Sequence, residues 1–210
     1  MMSVRTRFTE DDFGITHLAS MFHQDWRRSG NARDLVVRYV AEVSEPYVLA
    51  LAVDARRLAA SDAADVVAAV WECATGPYYS LRRESKNGLE WMREILGICE
   101  IALDRTGPHS EDVVDGSPYF DLMGRVVGEI DAVGLALSEA VSVDSPTATA
   151  SALRACAVDI SPELAFRVLL RGLMEYSIEI DRDDYLRFEE LGKRFSYGEF
   201  VVARISFLVR

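Results

Sequence analysis

The sequence predicts a mainly α-helical protein, with an N-terminal helical bundle over residues 1–105 and a C-terminal helical lobe over residues 117–210. Three observations lead there. Apolar residues recur at three- and four-residue spacing along most of the chain, the period of a helix that buries one face. Helix-start signals are frequent, above all the pairs Ser117-Pro118, Ser145-Pro146 and Ser161-Pro162, in which Ser supplies the capping oxygen and Pro the preset φ of the first turn. Strict alternation, the mark of a strand, is confined to two short stretches near the C-terminus.

The elements follow in order. A helix over residues 12–27 would place Ile15, Leu18, Phe22 and Trp26 on one stripe, narrow enough to dock on a core. Asn31 is positioned to cap a helix that carries Leu35, Val36, Tyr39, Val40 and Val43. Pro46 opens another with Val48, Leu51, Ala52, Ala55 and Leu58. Ser61 reads as the cap of a third, with Val67, Val70, Trp71 and Ala74 on its face and Gly76-Pro77 as its stop. Residues 86–104 give the widest stripe, Leu89, Met92, Leu96, Cys99 and Leu103 flanked by Trp91, Ile95 and Ile98, which predicts the centre of the bundle.

Residues 106–116 are rich in turn formers and charge, and read as a linker. A helix to about residue 141 follows, and its Gly124, Gly128 and Gly134 suggest close packing, because each glycine costs helix stability. Further helices are expected near 146–157, 162–177 and 183–195. Val201, Ala203, Ile205, Phe207 and Val209 alternate with polar neighbours, as do residues 176–180. A lone strand cannot satisfy its backbone, so either these stretches form a short β pair or the tail is helical.

Of 210 residues, half are hydrophobic and 27% charged, a composition that excludes disorder. The net charge is −11, and it is uneven: residues 1–105 hold 13 basic and 16 acidic side chains, net −3, whereas residues 106–210 hold 10 and 18, net −8. Such a field repels phosphate backbones and anionic lipid, so no direct nucleic-acid or membrane binding is expected, and a basic protein partner is favoured. Cys73, Cys99 and Cys156 have no paired spacing and sit in apolar patterns, as reduced thiols do. With no signal-like N-terminus and no run of about 18 apolar residues, a cytoplasmic protein is expected.

Little catalytic chemistry is legible. His17 and His23 fall on different faces of a helix and His109 stands apart, so no metal site is expected. No Ser or Cys has a nucleophile context and no glycine-rich phosphate loop occurs, so neither catalytic residues nor cofactors are assigned. Acidic clusters remain as binding candidates. One is Glu10-Asp11-Asp12. The other comprises Asp181, Asp183, Asp184, Glu189 and Glu190, interleaved with Tyr185 and Phe188, aromatic residues that would anchor a basic surface.

The pentapeptide Phe22-His23-Gln24-Asp25-Trp26 resembles the signature of the CdiI-type immunity proteins of contact-dependent growth inhibition systems. Gly76-Pro77-Tyr78-Tyr79 and the stretch Asn87 to Ile95, with Trp91, are similar to that family's aromatic turn and Trp-containing helix. The likeness covers about residues 10–105. It implies a bacterial, cytoplasmic, non-catalytic protein that binds and neutralises a toxin domain, a nuclease being the class expected. His23-Gln24-Asp25 would then form either part of the partner contact or a polar clasp, with Asp25 capping amides near residues 29–31 or His23 bonding another helix. Two other classes stay open: an enzyme whose site is assembled from non-local residues, and a regulatory or scaffold protein.

Overall fold

The computed structural model describes residues 10–84, 86–105, 119–141 and 148–210, and the expected linker 106–116 lies outside them. Ten α-helices form among the described residues: α1 (Gly14–Ser20), α2 (Ala32–Glu42), α3 (Glu45–Ala59), α4 (Ala64–Thr75), α5 (Gly88–Asp104), α6 (Met123–Val141), α7 (Ala148–Ala155), α8 (Pro162–Glu175), α9 (Arg182–Arg194) and α10 (Glu199–Ala203). The protein is thus mainly helical, as its periodicity predicts.

The caps explain several boundaries. Asn31 accepts from the Asp34 amide at 3.0 Å while the Asp34 side chain accepts from the Asn31 amide, a reciprocal capping box that starts α2. Asn87 does the same work for α5 through the Leu89 amide, at 2.8 Å. Ser161 accepts from the Leu164 amide and Pro162 opens α8. Ser61 differs from expectation: its hydroxyl donates backwards to the Leu58 carbonyl at 2.9 Å and closes α3, so α4 starts at Ala64 without a side-chain cap. The other two Ser-Pro pairs fall outside the described residues.

Around these helices runs one buried hydrophobic cluster, extending from Phe13 to Leu208. α5 packs on α3, α2 and α4; α4 turns its other side to α7 and α8; α6 covers α7 and α8. Helices from both sides of the 106–116 segment therefore share one core. Its centre is α8 rather than α5. Every residue from Pro162 to Leu173 is buried, whereas α5 leaves Ile101 exposed. α8 is not apolar all round, so its central place takes Glu163, Arg167 and Arg171 inside with it, and buried charges of this kind must be paired.

Burying α8 all round also buries Arg167. Its guanidinium bonds both oxygens of Asp54, at 2.9 and 2.8 Å, and reaches Glu163 at 2.8 Å, the Phe13 carbonyl at 2.7 Å and Thr16 at 3.1 Å. Asp54 in turn accepts the Ile15 amide at 2.9 Å. Burial pushes the Asp54 carboxyl up, while Arg167 pulls it down and stays firmly charged itself. This network pins α1, α3 and α8 together. Gly14 makes it fit: its φ is +62°, and a Cβ there would lie 2.0 Å from Asp54 Oδ2.

The glycines of α6 divide. A Cβ at Gly134 would meet Ala150 at 2.9 Å, which is the close packing expected, but at Gly124 and Gly128 it would meet nothing within 4 Å among the described residues, so the packing expectation fails at both. At the C-terminus the alternating residues 201–209 fold as α10 and a 3₁₀ turn, Ser206–Leu208. Only one parallel bridge, Ile180 to Val209, survives of the β alternative among the described residues. Two hydrogen bonds satisfy it, Ile180 N to Leu208 O and Arg210 N to Ile180 O, both 3.1 Å.

Candidate partner-binding surfaces

The first candidate is the pentapeptide. α1 stops at Ser20, not at 27, because the Ser20 hydroxyl caps the His17 carbonyl and the amides of Met21 and Phe22 tighten onto Leu18 and Ala19. Residues Phe22 to Asp25 form a turn, and Trp26–Ser29 a 3₁₀ helix. The apolar members are still core. Phe22 lies 4.8 Å from Tyr79 and 5.3 Å from both Trp26 and Trp71, between ring centroids, and Trp71 is 5.9 Å from Trp91. Edge-on packing of this kind adds to burial. Trp26 Nε1 donates to the Tyr78 carbonyl at 3.0 Å, fastening the pentapeptide to the 76–79 turn. Burial pushes the Tyr79 phenol far up, and its hydroxyl, with Trp71 Nε1 and Trp91 Nε1, is buried without a hydrogen-bond partner among the described residues.

The polar members face out. His23 and Gln24 are exposed, and Asp25 is half-buried. His23 Nδ1 accepts the Asp25 amide at 3.2 Å, and the Asp25 carboxylate meets Arg28 at 3.3 Å. The clasp is therefore internal to the turn. Among the described residues the Asp25 side chain caps no amide of the 29–31 stretch, where the Asn31 amide donates to Asp34, and His23 bonds no other helix. Arg27 lies over the Trp26 ring at 4.5 Å and pairs with Glu84 at 2.8 Å, joining this turn to the 81–84 turn.

The second candidate, on α9, is less acidic than its carboxylates suggest. Asp184 accepts the Asp181 amide at the helix start and pairs with Arg187, which also holds Glu129 at 3.0 Å. Glu190 pairs with Arg125 at 2.6 Å, a bond that lowers its pKa. Within Arg182–Arg194, four bases (Arg182, Arg187, Lys193, Arg194) balance four acids (Asp183, Asp184, Glu189, Glu190), so the helix has no net charge. Phe188 is fully buried, 5.8 Å from Phe166, and is a core residue rather than a surface anchor. Tyr185 is half-buried beside Glu189, and burial, then Glu189, raises its pKa. Exposed Asp181 and Asp183 and half-buried Glu189 are the acids of this set that no base neutralises among the described residues, and Asp181 serves as the cap of α9.

A clearer acidic edge forms where residues 10–12 meet residues 199–204. Asp12 is buried, bonded to Thr16 at 2.6 Å and to Arg204 at 2.9 Å, which anchors the first cluster. Glu10 and Asp11 beside it stay exposed. The Glu10 carbonyl accepts the Phe200 amide at 2.9 Å, bringing Glu199 and the Phe200 ring, 44% exposed, alongside. Tyr47 completes the edge, its phenol raised by burial and then by Asp11, Asp12 and Glu10. Residues nearly the whole sequence apart build this surface, so no local pattern announces it.

Elsewhere, His17 Nδ1 lies 2.8 Å from the Tyr39 hydroxyl, and His109 falls outside the described residues. The three cysteines are buried and free, and burial pushes each thiol up to about 12. Among the described residues no trio of His, Cys, Asp or Glu is grouped to hold a metal, and no helix is long and apolar enough to cross a membrane. No protein-family model matches the sequence, and no match was found among curated proteins or solved structures.

Proposed function

We propose that the protein is a bacterial, cytoplasmic immunity protein, a non-catalytic inhibitor that binds a basic toxin domain of nuclease type. The observation that supports this reading best is convergence. The stretches that resemble the CdiI-type family are remote in sequence, yet Phe22, Trp26, Tyr79 and Trp91 meet in one aromatic cluster, with Trp26 bonded to the turn that carries Tyr79. Such residues have a reason to occur together.

The net charge of −11 would speed encounter with a basic domain. Landing falls to the edge of Glu10, Asp11 and Glu199 rather than to α9, because these acids are exposed and without ion-pair partners among the described residues, next to an aromatic ring. The test is binding to, and protection from, the toxin domain encoded beside the gene. Replacing Glu10, Asp11 and Glu199 by Lys should slow association at least tenfold at low salt, by the size of electrostatic steering, and blunt its salt dependence. The same reversal at Asp183 and Glu189 should do less. Absence of binding by the unaltered protein would remove the immunity reading; equal effects of the two variants would move the landing surface.

A further inference from the structure

One corner of this acidic protein is basic. The Phe22–Arg28 and Gly76–Glu84 segments are held side by side by the Trp26 to Tyr78 hydrogen bond and the Arg27 to Glu84 ion pair. Together they carry Arg27, Arg28, Arg82 and Arg83 against Asp25 and Glu84, a local charge of +2 within a chain of −11. Glu72, held by the Ser80 hydroxyl at 2.8 Å, reduces it to +1; Lys86 and Glu94 cancel each other, 2.6 Å apart. The distribution matters more than the sum. Arg27 and Arg28 are paired, but Arg82 and Arg83 are exposed and have no carboxylate partner among the described residues.

Tyr78, 43% exposed, lies in the segment that carries these arginines and is tied to the pentapeptide through its backbone carbonyl, which accepts from Trp26. Beside it opens a cleft of about 280 Å³, lined by Glu72, Tyr79, Ser80, Arg83, Val141 and Tyr176 among others. That is below the span of ordinary small-molecule pockets, and suits a side chain or two. Arg and Tyr are the residue types that dominate interface energetics. The corner also rests on a buried aromatic cluster, so a partner would meet a surface already ordered.

We propose that this corner docks an acidic segment of a protein partner, with carboxylates on Arg82 and Arg83 and an adjoining apolar side chain against the exposed Tyr78 ring. A nucleic acid is the poorer fit. A long polyanion feels the field of the whole molecule, whereas a short acidic segment feels chiefly what lies within the roughly 8 Å screening length of physiological salt. The inference stands apart from the toxin-binding reading, which uses the opposite charge on another surface.

Panning random displayed peptides on the full-length protein and on its R82E/R83E variant tests it. The expected result is enrichment of peptides with Asp or Glu beside an apolar residue, lost on the variant. One such peptide, synthesised, should bind at least tenfold more weakly to R82E/R83E and to Tyr78→Ala, with melting curves unchanged. Enrichment of basic peptides, enrichment indifferent to R82E/R83E, or no arginine-dependent enrichment would overturn the proposal. So would binding of single-stranded oligo(dT) that the same variant abolishes, which would assign the corner to nucleic acid.

Discussion

Trp91 and His17 show how far a single residue can be read. Trp91 completes an apolar stripe and is fully buried, packed on Trp71 and Tyr79 with Lys86 over its ring at 4.1 Å. Trp91→Ala should cost roughly 3–5 kcal/mol in urea unfolding, the range for deleting a large buried aromatic; a loss below about 1 kcal/mol would contradict the cluster. His17 was legible only as a histidine on a helix. In the structure burial, the largest influence, lowers its pKa from 6.5, against Asp12, which raises it. The unfolded chain therefore takes up the proton first as pH falls. The stability contributed by neutral His17 is full above 6.5 and is lost as pH drops from 6.5 through the lowered folded value. His17→Gln should flatten that part of the stability profile relative to the unaltered protein, and an unchanged slope would show that His17 is not a source of it.

At the scale of the element, α6 offers the sharpest contrast between pattern and packing. Its glycines look alike in sequence, but only Gly134 meets a neighbouring helix. Gly124→Ala and Gly128→Ala should each stabilise by about 0.5–1 kcal/mol, because alanine has the higher helix propensity and the added methyl meets nothing. Gly134→Ala should gain less or destabilise, since its methyl would press on Ala150 at 2.9 Å. Thermal midpoints of the three variants decide it. α9 teaches the same lesson for charge. Its acids were legible, but the ion pairs of Asp184 with Arg187 and Glu190 with Arg125 depend partly on a neighbouring helix. Phe188 gave no local sign of which way it faces, and tertiary packing turned it inward.

Across the whole molecule, the ion network of Arg167, Asp54 and Glu163 ties helices that are more than a hundred residues apart. Arg167→Leu strands two buried carboxylates and should cost about 3–5 kcal/mol, the usual result of breaking a buried pair from one side. Unfolding should also be concerted. All three tryptophans lie between residues 26 and 91, so their fluorescence follows the first half of the chain, while far-UV circular dichroism follows every helix. Because α4 packs against α7 and α8 in one core, the two signals should trace a single urea transition. Separate midpoints would show that the halves unfold independently.

The sequence by itself determined the helical class, most helix starts, the burial of Trp26 and Trp91, and the reduced state of the cysteines. These follow from interactions within a few residues: periodicity, caps, and the hydrophobicity of a stripe. Only the tertiary structure decided which charges are free. It took Asp12, Asp54, Glu163 and Arg167 into the interior, neutralised most of α9, and left Glu10, Asp11 and Glu199 on one edge and Arg82 and Arg83 on another. A side chain's partner and exposure are set by whatever the fold brings within a few ångströms, and no local spacing contains that information.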